Sequence, residues 1–271
     1  MNILRQLADE AEVRVENKRK EVSDEEIRHQ ALLKSLERRR EGRGWNFEKT
    51  LAGPGISVIA ELKKASPSKG MICEDFDYLG ILGQYEQAGA SCISCLTEPA
   101  HFLGSTEILR DVCSNTKLPV LCKDFTVDEY QIYEACAGGA SAVLLIAALL
   151  SEKQISSMLE TADSLAMSAL VETHSAEEIE KAVNAGARVI GINNRDLRSF
   201  TVDLSNSIRL SAALPRGAVF VSESGIKTPE DVGRLADAGA DAVLIGETLM
   251  TSDNIQAAME ELLGSPVEQA V

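Results

Sequence analysis

Glu61 and Lys63 stand two residues apart, where the apolar run ISVIAE gives way to LKKASPSKG. Residues i and i+2 of a strand share a face, so an anion and a cation leave the same side of one strand end. Such a pair can donate a proton, accept one, or stabilise charge that builds on a substrate. Polar endings of this kind recur along the chain. Lys123 closes LPVLCK, Glu172 closes ALVE, Asn193 and Arg195 close RVIGINNR, and Glu223 and Ser224 close AVFVSES. Each alone reads as a solvated strand terminus. Together, in one register, they are hard to explain as separate ion pairs, because a buried charge costs several kcal/mol unless well paired.

The elements that carry these residues repeat. Apolar, strand-like segments end near Glu61, Leu96, Lys123, Ile146, Glu172, Asn193, Glu223 and Gly246, at intervals of 21 to 35 residues. Each interval holds a strand and a helix, such as SAEEIEKAVNA at 175–185. Four strands share a lead-in, QAGAS, CAGGAS, NAGAR and DAGAD, whose glycine can end a helix in the left-handed conformation. Eight such units predict a (β/α)8 TIM barrel, a fold whose sites lie at the carboxyl ends of the strands. A doubly wound sheet is the rival, but ELKKASPSKG lacks the G-x-G-x-x-G phosphate turn. The expected organisation is one barrel domain over residues 1–271, with residues 1–45 as a helical N-terminal extension. There, Ser23 and Glu26 fit a capping box. Ile27, Ala31, Leu32 and Leu36 recur at helical spacing, RRREGRG reads as a basic helix end, and Trp45 as a packing anchor. Near the end, SESGIKTPED and LIGETLM each run from strand through glycine into a helix start, so Gly225 and Gly246 offer backbone N–H groups to a phosphate.

Composition excludes several classes. The net charge is −15, with 42 acidic against 27 basic residues, which argues against a nucleic-acid partner. The longest apolar run, AVLLIAALL, is too short to span a bilayer, and the N-terminus has no signal-peptide core, so a cytoplasmic protein is expected. The six cysteines then read as reduced thiols. Cys92 and Cys95 form C-x-x-C, but i and i+3 on a strand face opposite sides, which argues against a metal or redox role.

Seven ordered blocks carry a resemblance: ELKKASPSKG, TEPAHFLGS, CKDFTVDEYQIYEA, LVETHS, IGINNRDL, VSESGI and LIGETLM. They are similar to indole-3-glycerol-phosphate synthases of tryptophan biosynthesis, over roughly residues 3–250. The resemblance implies a barrel with extra N-terminal helices and a carbon–carbon lyase. Its reaction closes 1-(2-carboxyphenylamino)-1-deoxyribulose 5-phosphate to the indole with loss of CO2 and water. Lys123 matches the general acid, Glu172 the carboxylate that stabilises cationic charge or acts as base, and Lys63 a substrate-contacting proton donor. Glu61 is expected to position these lysines; Asn193, Glu223 and Ser224 match further site residues. Ser66 and Arg195 are candidates for the substrate carboxylate, and Phe102 and Phe125 for its ring. Glu247 stands where relatives commonly carry a small residue; its carboxylate is expected to point away from a phosphate while its backbone N–H serves. The resemblance implies no metal or organic cofactor and a phosphorylated small-molecule substrate. The chain's length implies a monofunctional protein; its oligomeric state stays open, a monomer included. Two alternatives remain at this point, a non-catalytic scaffold of a pathway complex and another phosphate-binding barrel such as phosphoribosylanthranilate isomerase. Against the latter, the first strand ends Glu61-Leu62-Lys63 without a cysteine.

Overall fold

The computed structural model describes residues 3–196 and 200–264. Leu197 of the IGINNRDL block and residues 265–271 of the expected domain lie outside the described residues. Three helices come first: α1 (Ile3–Glu21), α2 (Asp24–Arg40) and α3 (Asn46–Leu51). The chain then alternates. Strand β1 (Ser57–Leu62) leads into a two-residue hairpin, β2 (Ala65–Ser66) and β3 (Gly70–Met71), before α4 (Tyr78–Gln87). There follow β4 (Cys92–Leu96), α5 (Thr106–Asn115), β5 (Val120–Lys123), α6 (Glu129–Ala137), β6 (Ala142–Ile146) and α7 (Glu152–Ser164). The chain closes with β7 (Ser168–Thr173), α8 (Ala176–Asn184), β8 (Val189–Asn193), α9 (Ser205–Leu210), β9 (Val219–Glu223), α10 (Pro229–Asp237), β10 (Ala242–Ile245), α11 (Glu247–Met250) and α12 (Ile255–Leu262). The eight longer strands pair in parallel and close into a barrel, β1 meeting both β4 and β10. This is the (β/α)8 barrel that the repeat predicts.

Local sequence explains the alternation. Ser105, Asp128, Ser151, Ser175 and Thr228 cap the helices after the strands by accepting a backbone N–H from the first turn. The lead-in glycines end the helices before the next strand. Gly89, Gly139, Gly186 and Gly239 all sit at φ of +85° to +98°. In the first of these turns Ala90 N–H donates to Tyr85 O and Gly89 N–H to Glu86 O, the paired bonds of a Schellman cap.

Strand alternation divides the core in two. Ile59, Cys92, Leu121, Leu144, Leu170 and Leu244 fill the barrel, while Val58, Ile93, Cys95, Val143 and Ile192 pack outward against the helices. Cys92 and Cys95 thus lie on opposite faces of β4, in different clusters, as their spacing requires. The N-terminal extension closes the barrel at both ends. Phe47 and Leu51 of α3 join the interior cluster, and Glu48 N–H donates to Ser168 Oγ at the start of β7. Leu4 of α1 also joins that cluster, and α1 is tied to the strand-end loops by Arg14–Asp124 at 2.6 Å, Arg19–Asp128 at 2.7 Å and His101–Glu10 at 2.9 Å.

Two details of α2 depart from the periodicity reading. Ile27 and Ala31 are buried, but Leu32 and Leu36 are 52% and 50% exposed. The buried stripe runs instead through Ile27, Ala31, Ser35 and Arg38. Arg38 is more than part of a basic helix end: it donates to Ala140 O at 2.5 Å and Leu165 O at 3.2 Å, so its charge is satisfied by strand lead-in carbonyls. Helical spacing marks both the true stripe and the one turned aside; only the partner helix decides between them.

Candidate active site

The barrel register brings the polar strand ends to one level. Leu96 pairs with Lys123, Ile146 with Glu172, Asn193 with Glu223, and Glu223 with Leu244. The floor is a buried charge cluster. Lys123 Nζ lies 3.0 Å from Glu61 Oε2 and 3.5 Å from Glu223 Oε2, and Lys63 pairs with Glu61 Oε1. Glu61 therefore bridges both lysines, which is why the same-face pair at the end of β1 exists.

Electrostatics fix the protonation of this cluster. Burial opposes ionisation of Glu61, but Lys123 and Lys63 outweigh it and hold the carboxyl down at about 2. Burial likewise works against the Lys123 ammonium, and the charges of Glu61, Glu223 and Glu172 overcome it, raising the lysine above its ordinary range. Glu223 goes the other way. Burial and the like charge of Glu172 push it up to about 8 despite Lys123. Neither of its carboxyl oxygens has a hydrogen-bond partner among the described residues. Near neutral pH the floor therefore holds a carboxylate at Glu61, an ammonium at Lys123 and a protonated carboxyl at Glu223.

Above the floor is a cavity open to solvent. Lys63, Ser66, Lys123, Glu172, Asn193, Arg195 and Ser224 line it together with Leu4, Leu7, Phe102, Phe125, Leu144 and Ile146. Phe102 and Phe125 form an aromatic wall, their centroids 6.2 Å apart and tilted at 44°. A neighbouring recess shares Lys63, Lys123, Arg195, Ser224 and Glu247 with this cavity and adds Lys69, Gly225, Lys227 and Gly246. The expected residues thus converge on two connected spaces, with Glu61 and Glu223 buried in or beside their floor.

Glu247 corrects one expectation. Its side chain does not turn away. Oε1 lies 3.2 Å from Lys69 Nζ and Oε2 3.4 Å from Arg195, so the carboxylate sits between the two spaces. Two cations on facing loops draw it inward, which local sequence does not display. The glycines also do more than admit a ligand. Gly225 has φ +85°, and a Cβ there would strike Val202; a Cβ on Gly246 would strike the Glu61 carboxylate. Valine at either position would damage packing as well as any ligand contact.

Several residues of the mouth escaped sequence reasoning. Glu98 is buried and accepts backbone N–H bonds from Ala100, His101 and Phe102, at 2.9, 2.7 and 2.9 Å, which shapes the loop bearing Phe102. Asp124 joins Arg14, Thr97 and the Phe125 N–H. His174 lies against Glu172, with 3.5 Å between Nε2 and Oε1. The i, i+2 rule that singles out Glu61 and Lys63 applies equally to Glu172 and His174 and was the available signal.

Comparison with known proteins bears on this arrangement. The family model described as indole-3-glycerol phosphate synthase matches residues 5–262. The chain belongs to that family. An indole-3-glycerol phosphate synthase of Ruminiclostridium cellulolyticum is 47% identical over 97% of this chain and 99% of its own length. One from Endomicrobium trichonymphae is 48% identical over 96% of this chain and 99% of its own. Among solved structures, a 3-hexulose-6-phosphate synthase superposes with TM-score 0.65 at 15% identity, covering 77% of this chain and 99% of that one. Thiamine phosphate pyrophosphorylase from Pyrococcus furiosus superposes at 0.59 and 17% identity, covering 80% and 96%. At such identities the likeness concerns the barrel fold alone.

Proposed function

We propose that this indole-3-glycerol phosphate synthase family member acts as a carboxy-lyase. It would convert 1-(2-carboxyphenylamino)-1-deoxyribulose 5-phosphate to indole-3-glycerol phosphate, CO2 and water. One observation carries the assignment of roles: a Lys123 ammonium held by buried Glu61 opens into a cavity walled by two phenylalanines and lined by Glu172. The substrate has an aromatic ring, a carboxylate, a ketone and a phosphate, and each meets a matching surface.

Phe102, Phe125, Leu144 and Ile146 take the ring. Arg195, with Ser66, takes its carboxylate through charge-assisted contacts. Gly225, Gly246 and the Glu247 N–H face the recess where the phosphate sits, with Lys69 and Lys227 supplying positive charge. In this pose the ring carbon bearing the carboxylate attacks the ketone carbon. Electrons of the C=O bond move to oxygen, and Lys123 donates the proton that neutralises it. The attack leaves the ring nitrogen cationic, and the Glu172 carboxylate stabilises that charge. Loss of CO2 returns its bonding pair to the ring and restores aromaticity. Dehydration then expels the new hydroxyl as water, with Lys63 as proton donor and Glu172 as base. Glu61 holds both lysines in place and charged, while Asn193, Ser224 and the neutral carboxyl of Glu223 complete the polar lining.

The test is direct. Purified protein is mixed with the carboxyphenylamino substrate and indole fluorescence is followed. Fluorescence growth with one equivalent of CO2 supports the assignment. Substrate binding without indole would point to a scaffold, and turnover of phosphoribosylanthranilate instead would point to the isomerase reaction.

A further inference from the structure

We propose that His174 is a positioning residue for this reaction: its imidazole fixes the Glu172 carboxylate at the cavity wall and is itself fixed by Glu178. The role rests on the reading above, in which Glu172 works on the substrate. His174 follows Glu172 by two residues, so both side chains leave the same side of the β7 end. Its ring sits between two carboxylates. Nε2 lies 3.5 Å from Glu172 Oε1, and Nδ1 lies 3.3 Å from Glu178 Oε2. The His174 backbone N–H donates to that same Glu178 oxygen at 2.7 Å, which locks the ring's base to α8. Nε2 is buried and has no hydrogen-bond partner among the described residues, and it faces the Glu172 charge.

The chain of three groups crosses a wall between two spaces. Glu172 lines the cavity that holds Lys123. His174 and Glu178 line an adjoining polar cavity with Asn206 and Arg209. The charged groups around the imidazole are Glu172 from its own strand, Glu178 from α8 and Glu223 from β9. Arg195, Asp196, Asp203 and Arg209 stand around the outer cavity. Burial works against the imidazolium, but the hydrogen bond to Glu178 and the charges of Glu172, Glu178 and Glu223 hold it above its ordinary value. As pH rises through that raised value the positive charge is lost. Glu172 then loses the counter-charge on its His174 side and is held less firmly, and turnover falls on the alkaline side.

The experiment uses the full chain, nitrogen-15 NMR of its three imidazoles and the pH profile of kcat. His174 is assigned by the signal missing in His174→Gln. That variant keeps an amide donor toward Glu172 and removes the charge. The expected results are a His174 titration above the ordinary 6.5 and a downward shift in Glu178→Gln. In His174→Gln, kcat should fall on the order of tenfold with little change in KM, and the part of the alkaline limb that follows the imidazole titration should vanish. Should His174→Gln fail to fold, Glu178→Gln carries the same test, since its alkaline limb must move with the imidazole. An imidazole titrating at or below 6.5, or a His174→Gln enzyme with the wild-type pH profile and only a lower Tm, overturns the proposal. Wild-type protein that makes no indole overturns the assigned reaction and this role together. Indole formation beside an unshifted imidazole overturns the role alone.

Discussion

Glu223 gives the sharpest stability prediction. Its carboxyl is fully buried, both oxygens lack hydrogen-bond partners among the described residues, and burial with the Glu172 charge moves it from 4.5 to about 8. Between those two values the unfolded chain has released the proton and the folded chain has kept it. The folded state therefore binds more protons, and stability must fall as pH rises through this window. Each unit of displacement is worth about 1.36 kcal/mol, so the penalty above the window is of order 5 kcal/mol. Glu223→Gln copies the neutral carboxyl and cannot ionise. Below pH 4.5 it should match the wild type in stability, and by pH 6 it should already be the more stable by about 2 kcal/mol. Above pH 8 it should be more stable, by an amount that approaches that figure and raises Tm on the order of ten degrees. Urea unfolding of both proteins from pH 4 to 9 measures this. Parallel stability curves over that range would show that Glu223 ionises normally and that the floor is not organised as described.

Three further predictions follow. Glu61 is held at about 2 against an ordinary 4.5, so it stabilises the fold above pH 4.5, and that contribution is lost as pH falls toward 2; Glu61→Gln should flatten the acid limb of stability and lower kcat by loosening both lysines. Glu247→Ser frees Arg195 and Lys69 from a half-exposed pair worth about 0.5–1 kcal/mol, so KM should fall two- to fivefold and competing inorganic phosphate should bind more tightly; an unchanged KM would show that the carboxylate does not compete with substrate. Cys92→Ser and Cys95→Ser, singly or together, should keep activity within a few-fold and lose about 1–2 kcal/mol of stability by burying a hydroxyl, and chelators should have no effect; activity lost to a chelator and restored by zinc would contradict this.

The barrel was legible because its signals are local. Apolar strand runs, capping serines and threonines, and a left-handed glycine before four strands each act within a few residues. The charged strand ends were legible for the same reason, since Glu61 and Lys63 share a face by spacing alone. The inward turn of Glu247 was not, because Lys69 and Arg195 reach it from loops after other strands. Glu98 hides for a related reason: its carboxylate binds three backbone N–H groups and serves Phe102 at second hand. The buried Arg38 is likewise a product of packing, its partners lying more than a hundred residues away, at Ala140 and Leu165. Leu32 and Leu36 show the converse, since a helical stripe in the sequence does not say which of two neighbouring faces meets a partner.

In the proposed reaction Lys123 donates the proton to the ketone oxygen, and Lys123→Met removes that donor. Methionine keeps the apolar stem and removes the ammonium. The melt must be followed beside the kinetics, because the substitution leaves Glu61 with Lys63 as its one lysine partner among the described residues. The predicted result is a folded protein that binds substrate while kcat falls on the order of 10²–10⁴. Combined with Glu172→Gln, the loss should be smaller than the product of the two single losses, since both act on one step. Near-normal kcat in a well-folded Lys123→Met protein would contradict the claim and move the acid to Lys63.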